Sequence, residues 1–422
     1  MSIDLMSSPR KFSWRARSVT WAAAFWGVCV VLPVGMNYLA LLLLLAALLI
    51  AGRWREVLNL DRPLRPWLIA AIGFLGVHAF ILAIQPIYYE ETPSNLVHGI
   101  RLVLTLWVAL ALRGDEAAAA LKAMALAGMA AALALIGLHF FFPGGAAPFF
   151  YAKVAGSGNK WIAVSVLLAL LTTAAVRYAF ERNRRYRWPA CLAGALACFA
   201  VLVVMNQRTA FLLLAVGLGA VMLHAFRRKP QWLLAGLVSV LLAGVASWHA
   251  SPQISQKFIA GVEQLKQAHA GQVSQESMVI RYEMYTQTAQ MWRERPLTGW
   301  GIGSWNDQWK RRVHPILHQS NMPHNDVLWM GAQAGWLGAL SWLSLFGTLL
   351  WLCWRTMTWR HQIAFAFVAM VLANAQVNSG TRDANLGLPL LFAMGAAVAW
   401  ARGKAADDER ALQAGWVTAK AL

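Results

Sequence analysis

The chain has 422 residues, of which 59% are hydrophobic and only 13% are charged, and its mean hydropathy is +0.50. Repeated apolar runs of about 18 residues or more exclude a soluble globular protein, and their lack of alternation excludes an outer-membrane barrel. The formal net charge of +19 requires no nucleic-acid partner, because basic residues on a membrane rim meet anionic lipid head groups.

The apolar runs predict an all-α polytopic membrane protein with about twelve transmembrane helices. In chain order, the predicted spans are residues 18–34, 36–52, 66–85, 96–112, 117–142, 159–177, 189–206, 209–226, 231–249, 325–352, 361–378 and 386–401. The first run lacks a small-residue cleavage site and is interpreted as a retained helix. The predicted organisation is therefore nine spans in 1–249, a hydrophilic loop over 250–324, three spans in 325–402 and a tail over 403–422.

Lys and Arg are distributed unevenly between the two sides of the predicted bundle. The short connections on one side, with their edges, hold only Lys153, Lys160, Arg208 and Arg382. The other side carries most of the basic residues, among them Arg10, Arg53, Arg113, Arg184, Arg228, Arg355 and Arg402. By the positive-inside rule, both termini lie in the cytoplasm and the 250–324 loop lies on the opposite face of the membrane.

The long loop is predicted to be ordered. Residues 254–268 and 277–294 both place apolar side chains near helical spacing, which predicts two amphipathic helices on the membrane face. The second helix is expected to end before Pro296, where a glycine-rich turn with interleaved aromatic residues begins. For these aromatic residues, anchoring at the membrane interface is favoured over stacking on sugars.

Two arginines are candidates for binding an anion near the outer membrane interface. Arg281 lies inside an otherwise apolar and aromatic helix, and Arg208 follows Asn206-Gln207 where the seventh span turns into the eighth. A guanidinium at this depth loses solvation unless it finds an anion, and its planar fork matches phosphate oxygens. The alternative for each is an arginine that extends to lipid head groups. Lys153 is a weaker third candidate, for which an ordinary interfacial lysine is the alternative.

His324 lies where the chain enters the tenth predicted span, and Asn325 or Asp326 can cap that helix. A histidine there can accept a proton from an incoming hydroxyl, although lone histidines often have structural roles. The same span carries small residues that allow close approach of a neighbouring helix or a lipid chain, namely Gly331, Gly335 and Gly338.

The sequence carries no pattern typical of a metal centre. No Asp-x-Asp occurs, and the acids of the outer connections are scattered. The four cysteines lie in or beside predicted spans without CxxC spacing, so they are predicted to be packing residues. Neutralisation of a departing anion would therefore fall to arginine rather than to a metal ion.

Four sequence elements combine into one pattern: Gln207-Arg208-Thr209, Ser277-x3-Arg281, Pro296-x2-Gly299-x-Gly301-x-Gly303, and His324-Asn325 followed after nine residues by Gly335 and after two more by Gly338. This pattern resembles the O-antigen ligase and polymerase superfamily. The resemblance is specific over about 277–338, and its His-Asn-x9-Gly element points to the ligase branch.

The resemblance implies an inner-membrane glycosyltransferase with a helical, glycosyltransferase C-like fold and a periplasmic site. It implies transfer of a polysaccharide from undecaprenyl pyrophosphate to lipid A-core oligosaccharide, within membrane lipids and without metal, cofactor or nucleic acid. On this hypothesis Arg208 and Arg281 grip the pyrophosphate, and His324 activates the acceptor hydroxyl for an inverting displacement. Further substrate contacts are predicted for Lys153, Gln207 and Asn325.

Three alternatives stay open from the sequence. An O-antigen polymerase shares the lipid donor but uses a lipid-linked glycan as acceptor. A protein O-oligosaccharyltransferase also shares the donor and glycosylates exported proteins. A lipid-linked sugar transporter is more distant, because one large loop breaks any internal symmetry and Arg101 is the clearest charge deep in a span.

Overall fold

The computed structural model describes residues 14–53, 62–141, 158–181, 186–234 and 252–413, together with residues 236, 238 and 245. Within these ranges all the long regular elements are helices and none is a strand. In chain order they are α1 (Trp14–Cys29), α2 (Val34–Ile50), α3 (Arg65–Ile84), α4 (Thr92–Leu110), α5 (Gly114–Phe141), α6 (Gly158–Ala179), α7 (Arg187–Phe199), α8 (Arg208–Phe226), α9 (Pro252–His269), α10 (Ser277–Glu294), α11 (Trp305–Arg312), α12 (Asp326–Trp354), α13 (Trp359–Val377) and α14 (Ala384–Gln413).

Eight of the described helices are long and apolar enough to cross a membrane, which confirms the prediction of an all-helical polytopic membrane protein. They are α3, α4, α5, α6, α7 with its π-helical extension Ala200–Met205, α8, α12 and the Ala384–Gly403 part of α14. Helix α2 is apolar but shorter. The predicted span over 231–249 lies mostly outside the described residues.

Large apolar side chains cover the outside of these helices. Ile69, Ile72 and Leu126 are 70%, 64% and 73% exposed. Such exposure suits side chains that face lipid hydrocarbon rather than water. Of the four cysteines, Cys29 and Cys353 are buried as predicted for packing residues, whereas Cys191 is exposed.

Helix α14 forms the centre of the bundle, since 83% of its apolar window is buried, against 22% for α5. It packs against α4, α5 and α13. Where α14 meets α5, Gly403 and Gly114 face each other so closely that a Cβ on either would overlap the other backbone. Small residues thus permit direct backbone contact between helices. Helix α14 then continues to Gln413, so the predicted tail begins as helix rather than as a separate segment.

Helix α12 is broken at Gly335, whose φ of 60° and ψ of −153° are accessible in practice only to glycine. Helix α12 covers the predicted span over 325–352, and the break at Gly335 is an interruption that the prediction did not include. Two backbone carbonyls before the break, those of Ala332 and Gln333, accept hydrogen bonds from outside the helix.

The glycine-rich segment that follows α10 supplies the missing hydrogen bonds. The backbone N–H groups of Trp300 and Gly301 donate to the carbonyls of Ala332 and Gln333, both at 2.9 Å, and Trp336 N–H donates to the Pro296 carbonyl at 2.7 Å. A Cβ at Gly335 would overlap the Leu297 backbone. At the break, the closely approaching neighbour is thus a loop backbone, and not the helix or lipid chain predicted from glycine spacing.

The predicted loop helices correspond to α9 and α10, but they differ in how their apolar faces are covered. On α10, Val279, Met284 and Met291 are at most 2% exposed, because this face packs inside the protein and Gly331 of α12 receives Trp292. On α9, Phe258 and Val262 remain about half exposed. The apolar face of α10 is therefore covered by protein, and the position of the two helices on the membrane face stays a prediction.

Two tryptophans form the core of the loop region. Trp305 and Trp309 are 2% and 0% exposed and stack with ring centroids 5.2 Å apart. Their indole N–H groups donate to Thr288 Oγ1 at 2.9 Å and to the Leu317 carbonyl at 3.1 Å. The predicted role of interfacial anchor is wrong for Trp305, because its ring is enclosed by protein and its one donor is already satisfied.

Candidate active site

A cavity of about 410 Å³ opens between the start of α10 and the segment that leads into α12. Arg281 and His324 both line it, so the structure brings together two of the three predicted catalytic residues. The remaining walls are mostly polar and consist of Gln275, Ser277, Ile280, Met284, Gln319, Ser320, Asn321 and Met322. Its volume lies within the ~300–1,000 Å³ of ordinary ligand clefts.

Arg281 projects into the cavity without a carboxylate partner among the described residues. Burial lowers the pKa of its guanidinium, the Tyr285 hydroxyl opposes that shift, and the nearby Arg208 guanidinium adds to it. A partly buried cation beside a second cation is unfavourable on its own. It becomes favourable when an anion binds between or beside the two groups.

Arg208 is the first residue of α8 and lies against Gly261 of α9, where a Cβ would be 3.3 Å from its Nη1 atom. It is not among the residues that line the cavity, but its charge acts on Arg281. The N-terminus of α8 adds the positive end of a helix dipole at the same place. Arg208 is thus close enough for its charge to act on Arg281, but it does not line the cavity with Arg281 and His324.

His324 adopts a left-handed backbone conformation with φ of 54°, which is uncommon for a residue other than glycine. Burial lowers the pKa of its imidazole to about 4, and the Arg281 charge acts in the same direction. The imidazole is therefore neutral near pH 7 and can accept a proton from a hydroxyl in the cavity.

The backbone of His324 is held by two neighbouring elements. The Tyr285 hydroxyl of α10 lies 3.2 Å from the His324 carbonyl and 3.0 Å from the Gln376 carbonyl near the end of α13. Asn325 Nδ2 donates to the same Gln376 carbonyl at 3.2 Å, and its Oδ1 accepts from Leu328 N–H at 2.9 Å. The predicted capping role of Asn325 is confirmed, whereas its contact with substrate stays a prediction.

Comparison with protein-family models matches residues 193–343 to the family described as O-antigen ligase. The matched range begins in α7, includes Arg208, Arg281 and His324, and ends in α12 beyond the break at Gly335. Over residues 193–343, about a third of the chain, this match supports the O-antigen ligase superfamily. A comparison with curated proteins found no match.

Members of the O-antigen ligase superfamily are glycosyltransferase-like ligases and polymerases, and they act on lipid-linked polysaccharides. Arginine side chains can bind an anion, and a neutral histidine can accept a proton from a hydroxyl. No cluster of three or more His, Cys, Asp or Glu side chains able to hold a metal ion occurs in the described ranges.

A second set of contacts anchors the wall of the cavity. Arg382, in the connection between α13 and α14, donates to the Asn321 carbonyl at 2.7 Å and lies 3.7 Å from the Glu91 carboxylate. Arg101 in turn donates to the Arg382 carbonyl and to the Tyr38 hydroxyl. The deep charge noted in the sequence therefore braces the connection that holds the cavity wall.

The same connection also reaches the start of α12. Thr381 donates to Asp326 Oδ2 from its backbone N–H at 2.9 Å and from its hydroxyl at 2.6 Å. Sequence reasoning missed the roles of Thr381 and Tyr285. Both act on backbone or buried groups far away in sequence, and no local motif marks such partners.

The remaining predicted substrate contacts have different outcomes. Gln207 precedes α8, and its Nε2 donates to the Met205 carbonyl at 3.2 Å, so its side chain supports the turn before Arg208. Lys153 lies outside the described residues.

Proposed function

We propose that this protein is an O-antigen ligase, which transfers O-polysaccharide from undecaprenyl pyrophosphate to lipid A-core oligosaccharide. The observation that carries the proposal is the convergence of Arg281 and His324 on one cavity, within the part of the chain that matches the family. The specific donor and acceptor are those implied by the His-Asn-x9-Gly element of the sequence.

In this proposal, Arg281 and Arg208 bind the pyrophosphate of the donor. The bond between the anomeric carbon and the phosphate oxygen breaks, and its electron pair stays on that oxygen. The two guanidinium groups stabilise the negative charge that develops on this oxygen. Among the described residues, no carboxylate forms an ion pair with Arg281 and competes for it. Undecaprenyl pyrophosphate then leaves as the second product.

His324 acts on the acceptor in the same step. Its neutral imidazole takes the proton of the acceptor hydroxyl as the hydroxyl oxygen forms the new bond to the anomeric carbon. Attack from the face opposite the pyrophosphate inverts that carbon. The reaction requires no ATP, because the sugar-phosphate bond of the donor supplies the driving force, and the two arginines neutralise the leaving group in place of a metal ion. Contacts of Gln207, Asn325 and Lys153 with the substrates complete the proposed site.

The proposed arrangement in the inner membrane has about twelve spans, cytoplasmic termini and a periplasmic loop over 250–324. The eight apolar helices support the spanning part, and the shorter α2 brings a further apolar segment. The concentration of Lys and Arg in the opposite connections supports the orientation.

Substitution of the site residues tests the proposal. In cells that depend on this protein, Arg281→Ala and His324→Ala should each abolish the ladder of long-chain lipopolysaccharide at normal expression. Loss of one such contact costs ~3 kcal/mol, which is roughly a hundredfold in rate. The matched controls Arg293→Ala on α10 and His269→Ala on α9 change exposed side chains and should leave the ladder intact.

The products separate this function from its alternatives. Ligase loss leaves bare lipid A-core, whereas polymerase loss leaves core that bears one repeat unit. Purified protein given lipid-linked glycan and lipid A-core should form a covalent glycolipid. Transfer to protein instead would indicate a protein O-oligosaccharyltransferase, and absence of any covalent product would indicate transport. An intact ladder in both site variants would refute the proposal.

A further inference from the structure

Three chain segments meet at a single hydroxyl group. Tyr285 Oη lies 3.2 Å from the carbonyl oxygen of His324 and 3.0 Å from that of Gln376. The hydroxyl has one hydrogen, so the two carbonyls share it as a three-centre bond. It is therefore the point that links α10, the segment before α12 and the end of α13.

We propose that Tyr285 is a positioning residue for the transfer reaction, which fixes the His324 segment relative to the helix that carries Arg281. This inference rests on the proposed function, because it presumes that the histidine and the arginine act on the same substrate. Tyr285 contacts the backbone of His324 and is not itself placed against the reacting atoms.

The spacing along α10 supports this role. Tyr285 follows Arg281 by four residues, so the two side chains leave the same face of the helix one turn apart. A contact made by Tyr285 therefore sets where the His324 segment lies with respect to the Arg281 guanidinium. The buried residues Met284 and Met291 hold α10 in place, so the part of the helix that carries Arg281 is fixed as well.

The conformation of His324 explains why such a contact is needed. A non-glycine residue in the left-handed region costs ~1–3 kcal/mol and persists only where neighbours hold it. The Asn325 cap holds the residue after His324, and Arg382 holds Asn321 before it. Tyr285 is the side chain that contacts the carbonyl of His324 itself.

The charged and titratable groups around His324 come from several elements. Arg281 and Tyr285 face it from α10, and Arg208 acts on Arg281 from the start of α8. Asp326 follows it in α12, where its carboxylate is held by Thr381, and the Arg382 guanidinium lies at the neighbouring connection. Removal of the Tyr285 hydroxyl changes none of these charges near pH 7, so its effect on His324 is positional.

The test compares Tyr285→Phe with Tyr282→Phe in full-length protein reconstituted with lipid-linked glycan and lipid A-core. Tyr285→Phe should lower kcat about tenfold and leave the donor KM within about twofold, because the arginines still bind the pyrophosphate. Tyr282 lies on the same helix, and among the described residues its hydroxyl forms a hydrogen bond only with the exposed His269, at 3.4 Å. Tyr282→Phe should therefore keep wild-type kinetics.

The pH profile of kcat provides a readout that mere destabilisation would not move. When His324 is no longer fixed in its buried position, water reaches the imidazole and the pKa rises toward the ordinary value of about 6.5. The acid limb of Tyr285→Phe should then lie at least one pH unit above that of the wild type. An unchanged kcat, or a uniform loss with an unmoved limb, would overturn the positioning role.

The two proposals fail in distinguishable ways. If wild-type protein forms no glycolipid, or if His324→Ala keeps full activity, the proposed function fails irrespective of Tyr285. If the wild type is active, His324→Ala is impaired and Tyr285→Phe matches the wild type, only the positioning role fails.

Discussion

His324 and Arg281 depend on each other through charge as well as through geometry. Burial and the Arg281 guanidinium both disfavour a second positive charge on the imidazole, and its pKa falls to about 4. The same arrangement leaves Arg281 without a described carboxylate and ready for an anion. One cavity thus holds a neutral proton acceptor beside a cation, which are the two groups that a phosphate-leaving transfer to a hydroxyl requires.

This arrangement makes a prediction for the pH dependence of the wild-type enzyme. A histidine with a lowered pKa stays neutral until the pH falls close to that value, so protonation of His324 should not lower kcat for glycan transfer until the pH approaches about 4. Initial rates in detergent or liposomes measure this, with stability checked at each pH. An acid limb near the ordinary histidine value of about 6.5 would contradict the buried, neutral imidazole.

At the residue scale, the sequence identified the candidate reactive groups but not the side chains that hold them in place. Arg281 and His324 stand out because a cation in an apolar helix and a histidine at a helix entrance are unusual. Tyr285 and Arg382 do not stand out, because each donates to a distant backbone carbonyl and any residue could supply such an acceptor. The placement of Arg208 behind the cavity wall required α9 and its Gly261 to be positioned first.

At the scale of elements, the break in α12 joins the loop region to the bundle. The glycine-rich segment donates two backbone hydrogen bonds to α12 and accepts a third, each between 2.7 and 2.9 Å. The segment follows α10 directly, so the helix of Arg281 and the helix that begins beside His324 are tied at a second point. The distance between the two site residues is thereby restrained from both ends of α10.

Glycine substitutions within α12 test this connection. Gly335→Ala should destabilise the folded protein by at least ~3 kcal/mol, because the residue needs a glycine-only conformation and its Cβ would overlap the Leu297 backbone. Gly347→Ala is the matched control, because no atom lies within 4 Å of its Cβ position and alanine favours a helix. Thermal unfolding in detergent should show a lower midpoint for Gly335→Ala and an equal or higher one for Gly347→Ala. Equal midpoints for Gly335→Ala and the wild type would contradict the break.

Sequence periodicity predicted the extent of the helices well but not this break. An apolar run is equally hydrophobic whether the helix is straight or interrupted, and the interruption is tolerated because another segment completes the hydrogen bonds. Glycine spacing correctly indicated a close approach. It could not identify the approaching group, because a glycine leaves space without specifying what occupies that space.

At the scale of the whole molecule, the hydrophobic length of the runs and the positions of Lys and Arg carry most of the prediction. The runs account for the described spanning helices, since lipid permits few other structures. The sequence does not predict which helices pack against each other. The central position of α14 depends on small-residue contacts such as Gly403 with Gly114, whose partners lie far apart in sequence.

The proposed orientation predicts which side chains a reagent outside the inner membrane can reach. The starting protein carries serine at Cys191 and Cys198, which leaves the buried Cys29 and Cys353. Lys310→Cys, at an exposed position of α11, should react with a membrane-impermeant maleimide once the outer membrane is permeabilised. Arg228→Cys, after α8, should react only after lysis. The reverse labelling pattern would invert the topology and move the cavity to the cytoplasm.

The break at Gly335 also bears on how the chain is assembled during synthesis. The residues that complete its hydrogen bonds, from Pro296 to Gly301, leave the ribosome before Ala332 and Trp336 do. An interrupted helix that entered lipid alone would expose unsatisfied amide groups, at a cost of several kcal/mol each. The segment that completes the hydrogen bonds of α12 has therefore already been synthesised when this helix emerges from the ribosome.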